Sequence, residues 1–452
     1  MKKIVLSLAS VLAATAFAPE AMAVPAFSRQ TGMACNACHF QHFPVLSSFG
    51  RAFKASGYTM MGAQGKVEGE HLSIPDTLNM SMLTKLRYQK TSGTDAAGAI
   101  SGVSSKNDGQ WQFPDEFVFL VGGRVAENVG VMMELGLGGG WNTNAGSTGG
   151  GMLGIFKMPF VWDMGGAKLG ITPFITDTQG VFTGYDMSSG GQVRAARWME
   201  DRGASSSQNF TGIGAGAATG IAFSANSDMG YIAWSRVSPN HAATETNQVA
   251  AIAPATAPAG LGAQEFKTNV IRIAATPTMA NWAMHIGAGF VSGDNYQTAG
   301  DVAATAADLK QVKGHTFDFQ AQGQLGGKDT SFYFNYAKTP GTAAGARVNY
   351  YNTKATDKKA WIIAGDYSVI PHVLSIGGGY RNANDGGNIG QADKNNAVFV
   401  TAVYDLYQNV ALHLNHTMQS GNAYNTGGTK AGNMAVGGAG KNVTTLMLEA
   451  AW

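Results

Sequence analysis

Leu78-Asn79-Met80-Ser81-Met82-Leu83-Thr84-Lys85-Leu86-Arg87-Tyr88-Gln89 reads with a period of two. Side chains of an extended chain point alternately to opposite faces. Leu78, Met80, Met82, Thr84, Leu86 and Tyr88 therefore share one face, and Asn79, Ser81, Leu83, Lys85, Arg87 and Gln89 the other. One face is apolar and the other mostly polar, the pattern of a strand standing between lipid and the lumen of a membrane barrel.

Working outward, the same texture returns at 115–125, 129–139, 152–162, 167–176, 212–224, 229–237, 266–275, 281–292, 314–324, 329–338, 359–368, 372–382, 396–406, 409–418 and 442–452, making about sixteen strands. Short turns (Ala126-Glu127-Asn128, Asp163-Met164-Gly165-Gly166, Asn226-Ser227-Asp228, Pro277-Thr278-Met279, Gly326-Gly327-Lys328, Ile370-Pro371, Leu406-Tyr407-Gln408) alternate strictly with long stretches rich in Gly, Ala, Ser, Thr and Asn, such as 91–114, 177–211, 239–265, 294–313, 339–358 and 419–441. Outer-membrane barrels have tight periplasmic turns and longer outside loops, and an even strand number puts both chain ends in the periplasm. The last strand carries Thr444, Leu446, Leu448, Ala450 and Trp452 on one face and so ends on an aromatic residue. A periplasmic β-sandwich also alternates, but without long loops on one side only.

Composition agrees. Glycine (61) far outnumbers proline (13), charged residues make up only 13%, and aromatics reach 10%. A net charge of +2 gives a nucleic-acid partner no electrostatic support. Beyond the leader, no apolar run approaches the ~20 residues of a membrane helix. The expected fold is an all-β transmembrane barrel of about sixteen antiparallel strands with a small N-terminal α-helical segment, lodged in the lipid of the bacterial outer membrane.

The first residues are an export signal: Lys2-Lys3, an apolar run from Ile4 to Phe17, then Ala21-Met22-Ala23 before Val24. The expected organisation is a signal peptide over 1–23, a helical segment over 24–71 and the barrel over 72–452.

The helical segment holds the chain's two cysteines, in Cys35-Asn36-Ala37-Cys38-His39. C-x-x-C-H is the attachment pattern of a c-type haem. Two thiols at this spacing each add to one vinyl group of the same porphyrin, and the following imidazole then lies under the ring, aimed at the iron. A redox dithiol wants a βαβ setting, zinc wants about four ligands, and a disulfide across this spacing is strained. Cys35, Cys38 and His39 are therefore assigned to one covalently bound haem, with His39 as the proximal iron ligand.

Pro44 suits the first position of a short helix and Gly57 its stop, with Val45, Leu46, Phe49 and Phe53 on one face to cover the porphyrin. Arg51 and Lys54 are candidates for the propionates, although solvated surface charges read equally well. For the opposite iron ligand, Met60 and Met61 follow the helix, Met33 precedes the motif, and His71 would give a lower potential. Inward-facing barrel residues could also serve. Met60 is the expected choice. About fifty residues is short for an independent cytochrome fold. The segment is expected to fold back into the lumen and plug it, or to sit at the periplasmic side.

An exported chain with one C-x-x-C-H near its start, fused directly to a porin-like barrel, resembles the monohaem cytochrome–porin fusions of iron-oxidising bacteria. The resemblance lies in Phe27-Ser28-Arg29-Gln30-Thr31-Gly32, the haem motif, Pro44, Phe49-Gly50-Arg51, Phe53-Lys54 and Gly57-Tyr58-Thr59, about fifty residues in all; the barrel matches by architecture only. It implies an outer-membrane Fe(II) oxidase that takes electrons from extracellular Fe(II) and passes them through its haem to periplasmic c-type cytochromes. Competing readings are a diffusion porin with a structural or redox-sensing haem, and a haem peroxidase. Acidic residues of the outer loops (Asp177, Asp186, Glu200, Asp201, Asp294) could attract Fe(II), but solvated loop charges are the plainer reading.

Overall fold

A computed structural model describes residues 25–43, 45–91, 109–139, 153–176, 207–213, 218–238, 266–296, 309–386, 394–421 and 442–452. The signal peptide, Pro44 and four of the five acidic loop residues named above (Asp177, Asp186, Glu200 and Asp201) lie outside these residues.

A small hairpin, β1 (Lys66–Gly69) and β2 (Leu72–Pro75), precedes the wall, which begins at β3 (Met80–Thr91). The expected boundary at residue 72 thus falls inside this hairpin. The wall continues through β4 (Gln110–Ala126), β5 (Val129–Gly139), β6 (Leu153–Lys157), β7 (Phe160–Asp163), β8 (Lys168–Thr176), β9 (Ala218–Ser227) and β10 (Gly230–Ser238). Next come β11 (Thr268–Ala275), β12 (Thr278–Met279), β13 (Trp282–Tyr296), β14 (Leu309–Leu325) and β15 (Lys328–Thr339). It ends with β16 (Lys358–Ile370), β17 (Leu374–Asn384), β18 (Asn396–Tyr407), β19 (Val410–Ser420) and β20 (Asn442–Ala451). Pro159 separates β6 from β7 and Pro277 separates β11 from β12, as expected of a residue without an N–H for the ladder. Each pair is one interrupted strand, so the wall is a closed barrel of 16 antiparallel strands. It closes where β20 meets β3, from Val443 opposite Thr91 to Ala451 opposite Leu83.

Several connections differ from expectation: β4 and β14 begin five residues early, at Gln110 and Leu309. The turn expected at Pro277-Thr278-Met279 lies at Ala280-Asn281, with φ of 47° and 68°, while Thr278 and Met279 pair with Ala283 and Trp282. Two positive φ values in succession match the twist of a tight hairpin, and asparagine tolerates them. The segment expected to start at 212 enters the wall only at Ala218, after a one-turn helix over Ser207–Thr211.

The faces of the wall are inverted relative to a water-soluble protein. Lys85, Arg87 and Arg381 are at most 1% exposed, whereas Phe290, Ile363 and Leu414 are at least 50% exposed. Interior charges are paired: Lys85 with Glu116, Arg87 with Asp115 at 2.7 Å and Arg272 with Asp318 at 2.7 Å. Pairing is what makes buried charge tolerable. An apolar outer girdle on a closed sheet, with no unpaired edge, suits lipid, and such a barrel fits the bacterial outer membrane. No described helix is long and apolar enough to cross a membrane.

The N-terminal segment fills the lumen. It forms α1 (Pro25–Thr31), α2 (Cys35–Cys38) and α3 (Ser48–Ala55). The third helix starts later than expected: Ser47 caps it, its Oγ accepting from the Gly50 N–H at 3.1 Å, while Leu46 is extended and bridges to His39. Gly57, at φ 73°, follows its end. Phe27 stacks on Tyr58 at 5.1–5.2 Å spacing from both Tyr58 and Phe53, giving the segment a small aromatic core. Val45 packs on Tyr333, Ile362 and Phe399 of β15, β16 and β18, while Ala55 packs with Phe174, Ala222 and Val270 of β8, β9 and β11. A segment that touches strands this far apart around the cylinder lies inside it.

Candidate functional site

The site is built from α2 upward. The His39 N–H donates to the Cys35 carbonyl at 2.9 Å, closing the single helical turn. The Ser47 N–H donates to the Cys38 carbonyl at 2.9 Å, and Ser47 Oγ donates to the Ala37 carbonyl at 2.9 Å. These bonds dock α3 on α2. The approach is so close that a Cβ on Gly50 would sit 2.1 Å from the Cys38 carbonyl oxygen. From the wall, Gln408 Oε1 accepts the Cys35 N–H at 3.1 Å.

Against α2 lies a partly open cavity. The plug contributes Cys35, His39 and Phe43, with the His39 and Phe43 rings edge to face at 5.0 Å. The wall contributes Leu83, Leu120, Ala411 and Ala451 as apolar lining, and Asp405, Gln408, Asn409 and Glu449 as polar lining. Asn409 is held in turn, donating through Nδ2 to the Ala451 carbonyl at 2.7 Å. The cavity therefore sits at the short-turn end of the barrel, across the β3–β20 seam.

The two cysteines are not joined to each other. Burial pushes the Cys35 thiol up to about 12, and burial raises Cys38 as well. Thiols held neutral are unlike a redox dithiol or zinc thiolates, both of which need a lowered pKa. Two neutral thiols one helical turn apart, with an imidazole beside them and a mostly apolar lining facing them from the wall, fit a covalently tethered porphyrin.

The other expected residues are placed as follows. No methionine lines the cavity. Gln30 Nε2 donates to the Tyr58 carbonyl at 2.7 Å and the Met60 carbonyl at 2.8 Å, which ties the Met60 backbone to α1. His71 sits at the tip of the β1–β2 turn with its side chain 93% exposed, and Met33 is exposed. Arg51, expected near propionates, is buried and donates to the Leu46 carbonyl at 2.9 Å and Gln322 Oε1 at 3.3 Å. It anchors α3 to the wall, since a buried guanidinium needs acceptors wherever it lies. Asp294 pairs with Arg347. Sequence reading missed the wall's half of the cavity. One signal was present: Leu83 is the apolar interruption on the polar face of the first strand.

A second anchor lies beside the site. His42 Nε2 is 3.3 Å from Asp366 Oδ2 and its Nδ1 is 2.9 Å from the Phe43 carbonyl oxygen. Burial alone would lower the His42 pKa, but the hydrogen bond and charge of Asp366 outweigh it and raise the value. Gln41 adds a bond from Ser331 Oγ to its Oε1 at 2.7 Å. At the long-loop end, Tyr350 and Tyr351 pack with Ile213 against the wall cluster that holds Ala55, and the Ser207 N–H donates to Asn335 Oδ1 at 3.2 Å.

No family model and no curated protein matches the chain. Among solved structures, OmpT of Vibrio cholerae is 12% identical with a TM-score of 0.42, over 86% of this chain and 100% of that one. A BenF-like porin from Pseudomonas fluorescens Pf-5 is 13% identical with a TM-score of 0.41, over 82% and 97%. A mutant of the Rh. blastica porin is 11% identical with a TM-score of 0.43, over 83% and 100%. The barrel is established by the chain's own strand pairing, and likeness at these scores adds nothing to it.

Proposed function

We propose that the protein is an outer-membrane monohaem c-type cytochrome–porin that moves electrons inward from an extracellular donor, Fe(II), to a periplasmic c-type cytochrome. The observation that carries this reading is the cavity against the C-x-x-C-H turn inside the barrel, with Cys35 and His39 among its lining. When bound, the haem supplies a one-electron Fe(III)/Fe(II) couple. Each Fe(II) oxidised outside yields one electron, which reduces one periplasmic acceptor.

The chain's own residues bind, place and insulate the group. Cys35 and Cys38 tether it, and His39 is the proximal ligand. Gln408 holds the tethering turn against the wall. Phe43, Leu83 and Leu120 give the cavity part of its apolar lining. The short-turn end is the periplasmic end in outer-membrane barrels, which favours delivery to a periplasmic acceptor. Oxidising iron outside has a chemical reason, since Fe(III) formed at neutral pH is insoluble.

The diffusion-porin reading fits the same barrel; what weighs against an open channel is the plug, whose Gln41, His42 and Arg51 meet the inner-face residues Ser331, Asp366 and Gln322. A water-filled channel would leave such residues wet. The deciding experiment mixes purified, oxidised protein with Fe(II) in a stopped-flow instrument while the haem bands are followed. Reduction within seconds supports the proposal; a haem that stays oxidised overturns Fe(II) as donor.

A further inference from the structure

We propose that His413, on the barrel wall, supplies the second axial ligand to the iron that His39 binds. The inference rests on the haem reading above and names the residue that completes it. β19 turns Ala411 and His413 to the lumen, two positions apart on one face. Ala411 lines the cavity, and so does its cross-strand partner Glu449. His413 is the next side chain inward, directly behind these two lining residues, is 1% exposed, and holds its Nε2 3.4 Å from Glu449 Oε2.

Neither ring nitrogen of His413 makes a hydrogen bond. A buried imidazole left so is costly and calls for a ligand, ion or catalytic role to explain it. His42 meets Asp366, His285 lies against Asp318 as His413 does against Glu449, His416 meets Thr444, and His71 is exposed; of these three carboxylates only Glu449 lines the cavity. A carboxylate beside a metal-ligating histidine is a common arrangement, because it takes one ring N–H and leaves the other nitrogen's lone pair for the metal. Glu449 occupies that place. The iron would then join plug to wall, with one imidazole from each.

The experiment uses the full-length protein folded in detergent. Pyridine haemochrome assay comes first: absence of thioether-linked haem would sink the haem reading itself. With haem present, the oxidised protein should be low-spin and lack the red sulfur-to-iron charge-transfer band. His413→Ala should turn it high-spin and let carbon monoxide bind the reduced form, at unchanged covalent haem content, and added imidazole should restore the low-spin spectrum. Met60→Leu should leave the spectrum as it was. A sulfur-to-iron band or a high-spin spectrum in the unmodified protein overturns the assignment without any variant, as does a low-spin His413→Ala protein.

Discussion

The Cys35 N–H donates to Gln408 Oε1 at 3.1 Å across 373 residues of chain. The attachment turn and the β18–β19 turn thus meet at one hydrogen bond, and the barrel positions the motif. Gln408→Leu removes the acceptor. The expected cost is about 1 kcal/mol, the net worth of an ordinary hydrogen bond. Thermal unfolding should show the loss, and hydrogen exchange should show faster exchange of the Cys35 amide.

The thioether assignment predicts a graded chemical outcome. Cys35→Ala or Cys38→Ala leaves one thiol to react, and the double variant leaves none. The pyridine haemochrome band should shift for each single variant, and acid-acetone should extract the haem only from the double variant.

Gly50 has no room for a methyl group beside the Cys38 carbonyl oxygen, at 2.1 Å. Gly50→Ala must push α3 off α2, at a cost of roughly 1–3 kcal/mol or more. Gly69→Ala is the control, since the nearest atom to its added Cβ lies at 3.6 Å. Comparative thermal unfolding should destabilise the first variant and spare the second.

The His42–Asp366 contact makes plug docking depend on pH. The His42 pKa is raised above its ordinary 6.5 in the fold. A raised value means that the fold binds the proton more tightly than the unfolded chain. The stabilisation is therefore complete below about 6.5 and is lost as pH rises through the higher folded value. Unfolding temperature followed from pH 5 to 9 should fall across that window in the parent protein, and His42→Gln should flatten the fall.

The packed lumen predicts no passage of sugars in liposome swelling. Deleting 25–75 removes the plug that meets Ser331, Asp366 and Gln322 of the inner face. If that variant inserts into the bilayer, it should conduct ions where the intact protein does not, as read by single-channel recording.

The sequence by itself determined the wall and the motif, because both are local. Alternation at Leu78–Gln89 shows which face meets lipid, and the structure keeps Lys85, Arg87 and Gln89 inside. The two-residue spacing of Cys35 and Cys38 and the adjacency of His39 need no fold to be read. What only tertiary structure decided is everything that joins distant parts. Arg51 bonds to Gln322 of the wall, and Gln30 ties the Met60 backbone to α1. Asp405, Gln408 and Glu449 came to the cavity only because β20 closes on β3. Periodicity says which way a side chain faces, but the strand pairing that closes a cylinder sets which residues face each other across it.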